Sequence, residues 1–496
     1  MGLKSWLAKP IAKWVTKKVN SDAQKALIWQ QYWMEALLKK ASQTSFGKDH
    51  RFEDVKNYEQ FKAAVPIRDY EALRPYMDRV VAGKPNILWP GKPLYFAKTS
   101  GTTSGVKYIP ISKESISYHI NSARNALLAY INETGNAQFV NGKLIFLSGS
   151  PVMEKINGIF TGRLSGIVNH HVPGYLRKNQ MPSYATNCIE DWEQKVAKIT
   201  DETLQEDMTL IGGIPPWVQM YFDLVQAKTG KLVKDVFPNF NLFVYGGVNF
   251  EPYRQKLEAS IGKKVDTIET YPASEGFIAY QDTQTEPGLL LLTNNGIFYE
   301  FIEADTFYNE QPVRVSLAGV KLNTNYAIIL NTNAGLYGYN IGDTVKFVSL
   351  HPFRIKVTGR IKHFISAFGE HVIGEEVEAA MLQASSELGG RVTEFTVAPQ
   401  VNPPEGGLPY HEWLISFEQL PANINAFAAA LDLSMQQKNI YYKDLIKGSI
   451  LQGLKIKVLA PDAFIQYMKM QGKLGGQNKV PRLSNDRKIA DDLLLL

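Results

Sequence analysis

The stretch NLFVYGGVNFEPYRQKLEASIGKKVDTIETYPASEG, residues 241–276, decides the fold. Two apolar runs, "NLFVYGG" and "VDTIETY", flank the helical pattern "PYRQKLEASI". Short apolar runs rich in β-branched and aromatic residues read as strands, and a helix between two of them makes a parallel crossover unit. The alternation continues upstream. Helical "SKESISYHINSARNALLAYIN" (112–132) precedes the strand "KLIFLSGS" (143–150). Helical "CIEDWEQKVAKI" (188–199) precedes the strand "MTLIGGI" (208–214) and the helix "PWVQMYFDLVQ" (216–226). The pattern predicts an α/β protein with mixed or parallel sheets covered by helices.

Outward from this region the texture changes. From Gly288, "GLLLLTNNGIFYEFIE", "YAIILNTNAGLYGYNIGDTVKFVS" and "FRIKVTGR" read as successive strands joined by turns, a β-rich subdomain. After Arg360 come the strands "EFTVAPQ", "HEWLISFE" and "LKIKVLAP", with helices near 424–437 and 461–471, a small α+β domain. The expected organisation is a large domain over 1–356, a hinge at 357–362 and a small domain over 363–496. Towards the other end, 21–41 reads as one helix opened by "NSD", and residues 57–83 as short helices interrupted by Pro66 and Pro75.

Composition narrows the function classes. The 496 residues are 45% hydrophobic and 21% charged, ordinary for a globular chain of about two to four domains. The net charge of +6 is spread out, with no basic block, which argues against a nucleic-acid surface while favouring anionic substrates. The single cysteine, Cys188, excludes an intrachain disulfide framework and a Cys-rich metal site, and reads as a small buried hydrophobe. The segment "MGLKSWLAKPIAKWVTKKV" has helical spacing but no signal-peptide core, and Trp6 stands where a myristoylation pattern needs Ser or Thr. A helix packed on its own domain is preferred to a membrane-surface helix. No segment is long and apolar enough to span a bilayer, so a cytoplasmic protein is expected.

Five motifs invite chemistry. "AKTSGTTSGVKYIP" (97–110) is rich in hydroxyls and glycine, but Gly101 and Gly105 enclose only three residues and Lys107 is followed by Tyr108, so it is no Walker motif. Its backbone N–H groups and hydroxyls can still cradle phosphates, the alternative being a polar surface turn. "VDTIETYPASEG" puts Ser274, Glu275 and Gly276 in a tight turn after a strand; without a glycine two before the serine it is no hydrolase elbow. Glu275 is instead placed where α/β sheets bind ligands and offers Mg²⁺ one carboxylate; a helix-capping acid is the alternative. "VYGGVNFEPYR" ends a strand in Gly246–Gly247, letting a flat ring approach the backbone. Asp343 in "YGYNIGDTVKF" has the paired oxygens that suit two ribose hydroxyls. Lys479 lies in the loop "GQNKVPRLSND", where a solvated lysine is the ordinary reading. His170 and His171, read on an extended strand, would face opposite ways, against a metal pair.

The order of these motifs resembles the adenylate-forming superfamily. Within it the chain resembles the acyl-acid amido synthetases named Gretchen Hagen three, the plant auxin- and jasmonate-conjugating family with bacterial members. The resemblance begins in "TSFGKDHRFEDVKNYEQFKAAVPIRDYEALRPYMDRVVAG" and continues through "TSGTTSG", "GGIPPWV", "YPASEG" and "YNIGD" to "KVPR". It implies ATP and Mg²⁺, a small carboxylic acid that attacks the α-phosphate, and an amino acid or other amine that displaces AMP. By the same resemblance Thr99, Ser100, Gly101, Thr102 and Thr103 form the phosphate loop, and Gly246, Gly247, Tyr271, Ala273 and Ser274 the nucleotide pocket. Glu275 holds magnesium, Asp343 the ribose, and Arg360 contacts the nucleotide. Lys107, Glu275 and the mobile Lys479 carry the catalytic roles. The segment "IKHFISAFGEHVIGEEVE" departs from the more acidic plant pattern, leaving His371 a minor phosphate contact beside a structural reading. No nucleic-acid partner and no integral membrane segment are expected, with a monomer or weak dimer in solution. Two rival readings stay open: an acyl-CoA ligase, since the loop also resembles "TSGTTG.PK", and a nucleotide- or acyl-binding protein that kept the fold.

Overall fold

The computed structural model describes residues 3–100, 106–172, 177–247, 250–361, 364–365, 367–368, 370, 372–447, 450–475 and 479–496. The chain divides into two compact units. Met1–Val248, Glu258–Ile341 and Val345–Lys356 form the first; Asn249–Leu257, Gly342–Thr344 and Val357–Leu496 form the second. The second unit thus includes two short segments from within the stretch read as the large domain.

The first unit opens with α1 (Leu3–Gln24) and α2 (Ala26–Ala41). The sequence predicts a helix start at "NSD", but Asn20–Asp22 are internal to α1 and the break falls at Lys25. A stripe of Ala8, Ala12, Val15 and Val19 packs α1 into the core, and tertiary packing overrides a local capping preference. Next come β1 (Tyr95–Ser100), β2 (Val106–Ile111) and α3 (Lys113–Thr134). A capping box starts α3, Ser112 Oγ and Ser115 Oγ each accepting the other's backbone N–H at 2.9 Å. The chain continues through β3 (Lys143–Phe146), β4 (Glu154–Ile156), β5 (Ile159–Gly162), β6 (Gln180–Met181), α4 (Trp192–Thr203), β7 (Met208–Gly212), α5 (Pro215–Thr229), β8 (Leu242–Gly246), α6 (Glu251–Ile261), β9 (Asp266–Ala273) and β10 (Gly276–Tyr280). Then follow β11 (Leu289–Leu291), β12 (Ile297–Glu303), β13 (Arg314–Ser316), β14 (Asn325–Thr332), β15 (Tyr339–Leu350) and β16 (Phe353–Arg360).

The twelve-stranded sheet runs β13-β12-β14-β15-β16-β11-β10-β9-β8-β7-β3-β6. Its β6-β3-β7-β8-β9 half is parallel, as the alternating pattern predicts. All five residues of β7 are buried, as in a strand covered on both faces, with the Thr209 hydroxyl satisfied by the Phe139 carbonyl at 2.7 Å. At β9–β10 the sheet turns antiparallel. The β-rich stretch from Gly288 supplies the antiparallel half of this same sheet. A second sheet, β2-β1-β5-β4, contains the two strands that flank residues 101–105.

The second unit adds β17 (Phe364–Ile365), β18 (Val372–Ile373), α7 (Gly374–Leu388), β19 (Arg391–Gln400), β20 (Tyr410–Gln419), α8 (Ile424–Lys438), β21 (Lys455–Leu459) and α9 (Ala463–Met470). Strand β20 is central, antiparallel to β19 and parallel to β21. Val377 and Ala380 of α7, with Phe427 and Leu431 of α8, join Phe395, Val397, Trp413 and Ile415 in one core. Among the described residues no helix is long and apolar enough to cross a membrane.

Candidate active site

The hydroxyl-rich motif is a β-hairpin. β1 and β2 pair antiparallel, with Thr99 opposite Lys107 and Ser100 opposite Val106. Gly101, Thr102 and Thr103 lie outside the described residues, as does the side chain of Ser100. Lys107 Nζ sits 5.6 Å from the centre of the Tyr70 ring, and the Tyr70 hydroxyl accepts the Tyr108 N–H at 3.0 Å. The aromatic face holds the ammonium on its side of the hairpin while leaving it half-buried.

Gly246, Gly247, Tyr271, Ala273, Ser274 and Glu275 come together at the C-terminal end of the parallel half. β8 and β9 run side by side with Gly246 opposite Thr270. A side chain at 246 would put its Cβ 2.4 Å from the Thr270 carbonyl oxygen, so this approach requires glycine; Gly247 follows at φ +80°. Tyr271 is buried, and Ala273 pairs with Gly276, leaving Ser274 and Glu275 as a two-residue hairpin connection. The turn therefore joins a parallel strand to an antiparallel one and presents a half-buried Glu275 just past the strand end. Carboxyl ends of parallel strands are where open α/β sheets take ligands.

In the second unit Asp343, Arg360 and Lys479 are brought together. Gly342, at φ +86°, lets β15 pass the Arg360 guanidinium, whose Nη2 lies 3.1 Å from where a Cβ would sit. Arg360 Nε is 3.1 Å from Asp343 Oδ1. Lys479 is exposed by surface area yet densely surrounded by protein atoms. Burial lowers its pKa from the lysine value; the Asp343 and Glu378 carboxylates oppose that shift and the Arg360 cation reinforces it.

Sequence reasoning missed what holds the lysine loop. Arg482, three residues on, ion-pairs with Glu378 at 3.0 Å and with Glu394, and bonds the Phe395 carbonyl at 3.2 Å and the Tyr253 hydroxyl. The backbone beside it extends the sheet: Val397 N–H donates to Arg482 O at 2.9 Å and Ser484 N–H to Val397 O at 3.0 Å. The available signal was "KVPR" itself, an arginine directly after a proline that cannot pair.

Other expectations are corrected. His170 and His171 do not lie on a strand: His170 ends a short helix over Leu164–His170 and His171 caps it. They are held separately, His170 Nε2 2.8 Å from Pro151 O and His171 Nε2 3.0 Å from Tyr95 Oη. No cluster of three or more potential metal-ligating side chains occurs among the described residues. Cys188 is half-buried, not buried, because it sits at the end of a single helical turn, Tyr184–Asn187. His371 lies outside the described residues.

With this geometry in place, similarity decides the family. Residues 15–179 and 157–265 match the GH3 family N-terminal domain, 290–360 its central domain and 375–488 its C-terminal domain. The chain belongs to the GH3 family. The jasmonoyl–L-amino acid synthetase JAR4 of Nicotiana attenuata is 23% identical over 358 residues, 59% of this chain and 61% of that protein. The chain thus matches about three-fifths of the length of JAR4, and likewise 61% of JAR6 from the same plant. The indole-3-acetic acid-amido synthetase GH3.3 of Arabidopsis thaliana is 21% identical, covering 90% of this chain and 87% of its own. In three dimensions the chain resembles the GH3.15 acyl acid amido synthetase in complex with 2,4-DB, with a TM-score of 0.79, 16% identity and coverage of 98% and 96%. It also resembles a 2-hydroxyisobutyryl-CoA ligase in the postadenylation state, with a TM-score of 0.61, 13% identity and coverage of 94% and 92%. The fold is that of the GH3 and adenylate-forming enzymes, as the motif order leads one to expect.

Proposed function

We propose that this protein is an ATP-dependent acyl-acid amido synthetase acting on a small carboxylic acid and an amino acid. The observation that carries the reading is the grouping of Lys479 with Asp343 and Arg360, in a chain whose family includes amino acid synthetases. A carboxylate oxygen attacks the α-phosphorus of ATP and pyrophosphate leaves. The amine nitrogen then attacks the acyl carbonyl, loses its proton, and AMP leaves. Negative charge accumulates around the phosphorus as the first bond forms, so a cation at Lys479 stabilises that state more than the ground state. Asp343 accepts the ribose hydroxyls while Arg360, its ion-pair partner, stays oriented towards the nucleotide. The hairpin of Thr99 and Lys107 cradles the outer phosphates, and the Gly246–Gly247 and Tyr271 surface takes the adenine. One carboxylate at Glu275 fits Mg²⁺, which in nucleotide sites draws its remaining ligands from phosphate and water. Bound there, the ion would neutralise phosphate charge.

The test is pyrophosphate release across a panel of carboxylic acids, followed by product analysis with amino acids or coenzyme A as acceptor. Amide formation supports the reading; thioester formation reassigns the chain to the acyl-CoA ligases; no release with any acid refutes adenylation. Lys479→Ala should slow the first step by roughly 10²–10³ and leave transfer from preformed adenylate near the parent rate.

A further inference from the structure

Helix α1 presents two faces. Its inward stripe, Ala8, Ala12, Val15 and Val19, belongs to the cluster containing Ala126, Ala129 and Tyr130 of α3. The large apolar residues point the other way: Trp6 is 63% exposed, Leu7 47%, Ile11 53% and Trp14 69%. Helical periodicity arranges the outward side in two adjacent rows, Leu7–Ile11–Trp14–Lys18 and Trp6–Pro10–Lys13–Lys17. Lys13, Lys17 and Lys18 are exposed. Along α1 lie five lysines and one acidic residue, the half-buried Asp22 near its end. Single exposed hydrophobic residues need no explanation, but two tryptophans and two aliphatics on one strip, edged by lysines, do.

We infer that this outward face is a docking surface for an anionic phospholipid bilayer. Tryptophan, with an apolar ring and one N–H, is suited to the zone between headgroups and acyl chains, and lysine stems reach outward while their ammonium groups stay with the lipid phosphates. The charge decides the occupant: a helix face with five lysines against one aspartate meets an anionic surface, whereas a second copy of the same face would set lysine against lysine. Because α1 is anchored through its small-residue stripe, the face is already formed in the folded protein and lipid binding requires no unfolding. The inference stands apart from the reaction proposed above, since none of these residues belongs to the nucleotide site.

The experiment is co-sedimentation of the full chain with vesicles of phosphatidylcholine alone or mixed with phosphatidylglycerol. Binding is expected only to the mixed vesicles, weakening as salt rises. Trp6→Ser with Trp14→Ser should reduce it at least tenfold, and Lys13→Gln with Lys17→Gln about thirtyfold, from the attraction that each basic residue near an anionic surface supplies. Both double variants change only exposed or edge side chains and should retain pyrophosphate release and circular dichroism. No binding to phosphatidylglycerol vesicles, equal binding to neutral ones, or unchanged binding by either variant would overturn the inference. A dimer in lipid-free solution that Trp6→Ser with Trp14→Ser converts to monomer would also overturn it, assigning the face to a second copy.

Discussion

Replacing Arg482 by methionine keeps length and packing volume but removes the cation that fastens the lysine loop. The side chain is 13% exposed, and its partners Glu378 and Glu394 are 12% and 17% exposed. Loss of one partner from a buried ion pair costs about 3–5 kcal/mol, because the remaining carboxylates keep their desolvation and lose their compensation. Glu394 keeps the Tyr253 hydroxyl at 3.2 Å and the Phe395 N–H at 3.1 Å, so the whole of that range applies. A two-unit protein does not unfold in one step, which makes a single unfolding midpoint a poor readout. Hydrogen exchange resolves the units: the best-protected amides of β19 and β20 should exchange roughly 10²–10⁴ times faster, tenfold for each 1.4 kcal/mol, while β7 and β8 keep their protection. Since Arg482 also anchors the strand that Lys479 precedes, single-turnover adenylation should slow on the order of 10²-fold, as misplacement of a catalytic group does. Arg482→Lys restores the charge without the planar fork and should recover only part of either effect. Unchanged exchange in β19 together with parent-like adenylation would refute the assignment.

Glu275→Gln should abolish pyrophosphate release without changing thermal unfolding, and magnesium titration should no longer restore activity; an active or unfolded variant removes Glu275 from the site. Asp343→Ala should weaken binding of a non-hydrolysable ATP analogue by about 1.5–3 kcal/mol in calorimetry, the range for hydrogen bonds to a charged group; unaltered affinity would make the Asp343–Arg360 pair purely structural. His119, 3% exposed on α3, has its pKa lowered to about 4 by burial. Its folded-state pKa lies below the usual 6.5, so as pH falls the unfolded chain takes the proton first. The contribution to stability is full above pH 6.5 and is lost progressively towards pH 4, about 3 kcal/mol in all. His119→Gln should flatten the pH dependence of hydrogen-exchange protection in α3 over that window, and parallel profiles for parent and variant would count against the shift.

Two kinds of information were legible in the sequence, and they failed in different places. Strands such as 208–212 and 242–246 announced themselves as short, mostly apolar runs of the kind a largely covered strand needs, and glycine at 246 answers to the closeness of the Thr270 carbonyl. Sheet membership was not legible. Nothing local tells a strand after Gly288 which strands it will pair with; β11 inserts between β10 and β16, a partner more than sixty positions away in sequence. Helix α1 shows the same limit from the opposite side. Trp6, Leu7, Ile11 and Trp14 form a periodic apolar row that periodicity assigns to a core, yet alanine and valine residues supply the buried stripe.

The candidate site divides along the same line. Glu275, Asp343 and Lys479 are residue types whose chemistry is intrinsic, so a motif can flag them before any contact is known. Arg482 acts only through Glu378, Glu394, Phe395 and Tyr253, four positions scattered over more than a hundred residues and joined solely by folding. A lysine whose charge is to act at one point needs a fixed position. The backbone pairing of Val397 with Arg482 and Ser484, reinforced by the buried guanidinium, supplies that fixed position one turn of chain away from the ammonium. Lys479 therefore stands three residues before a segment paired to the sheet of the second unit, and a variant that loosens that pairing displaces the ammonium with it.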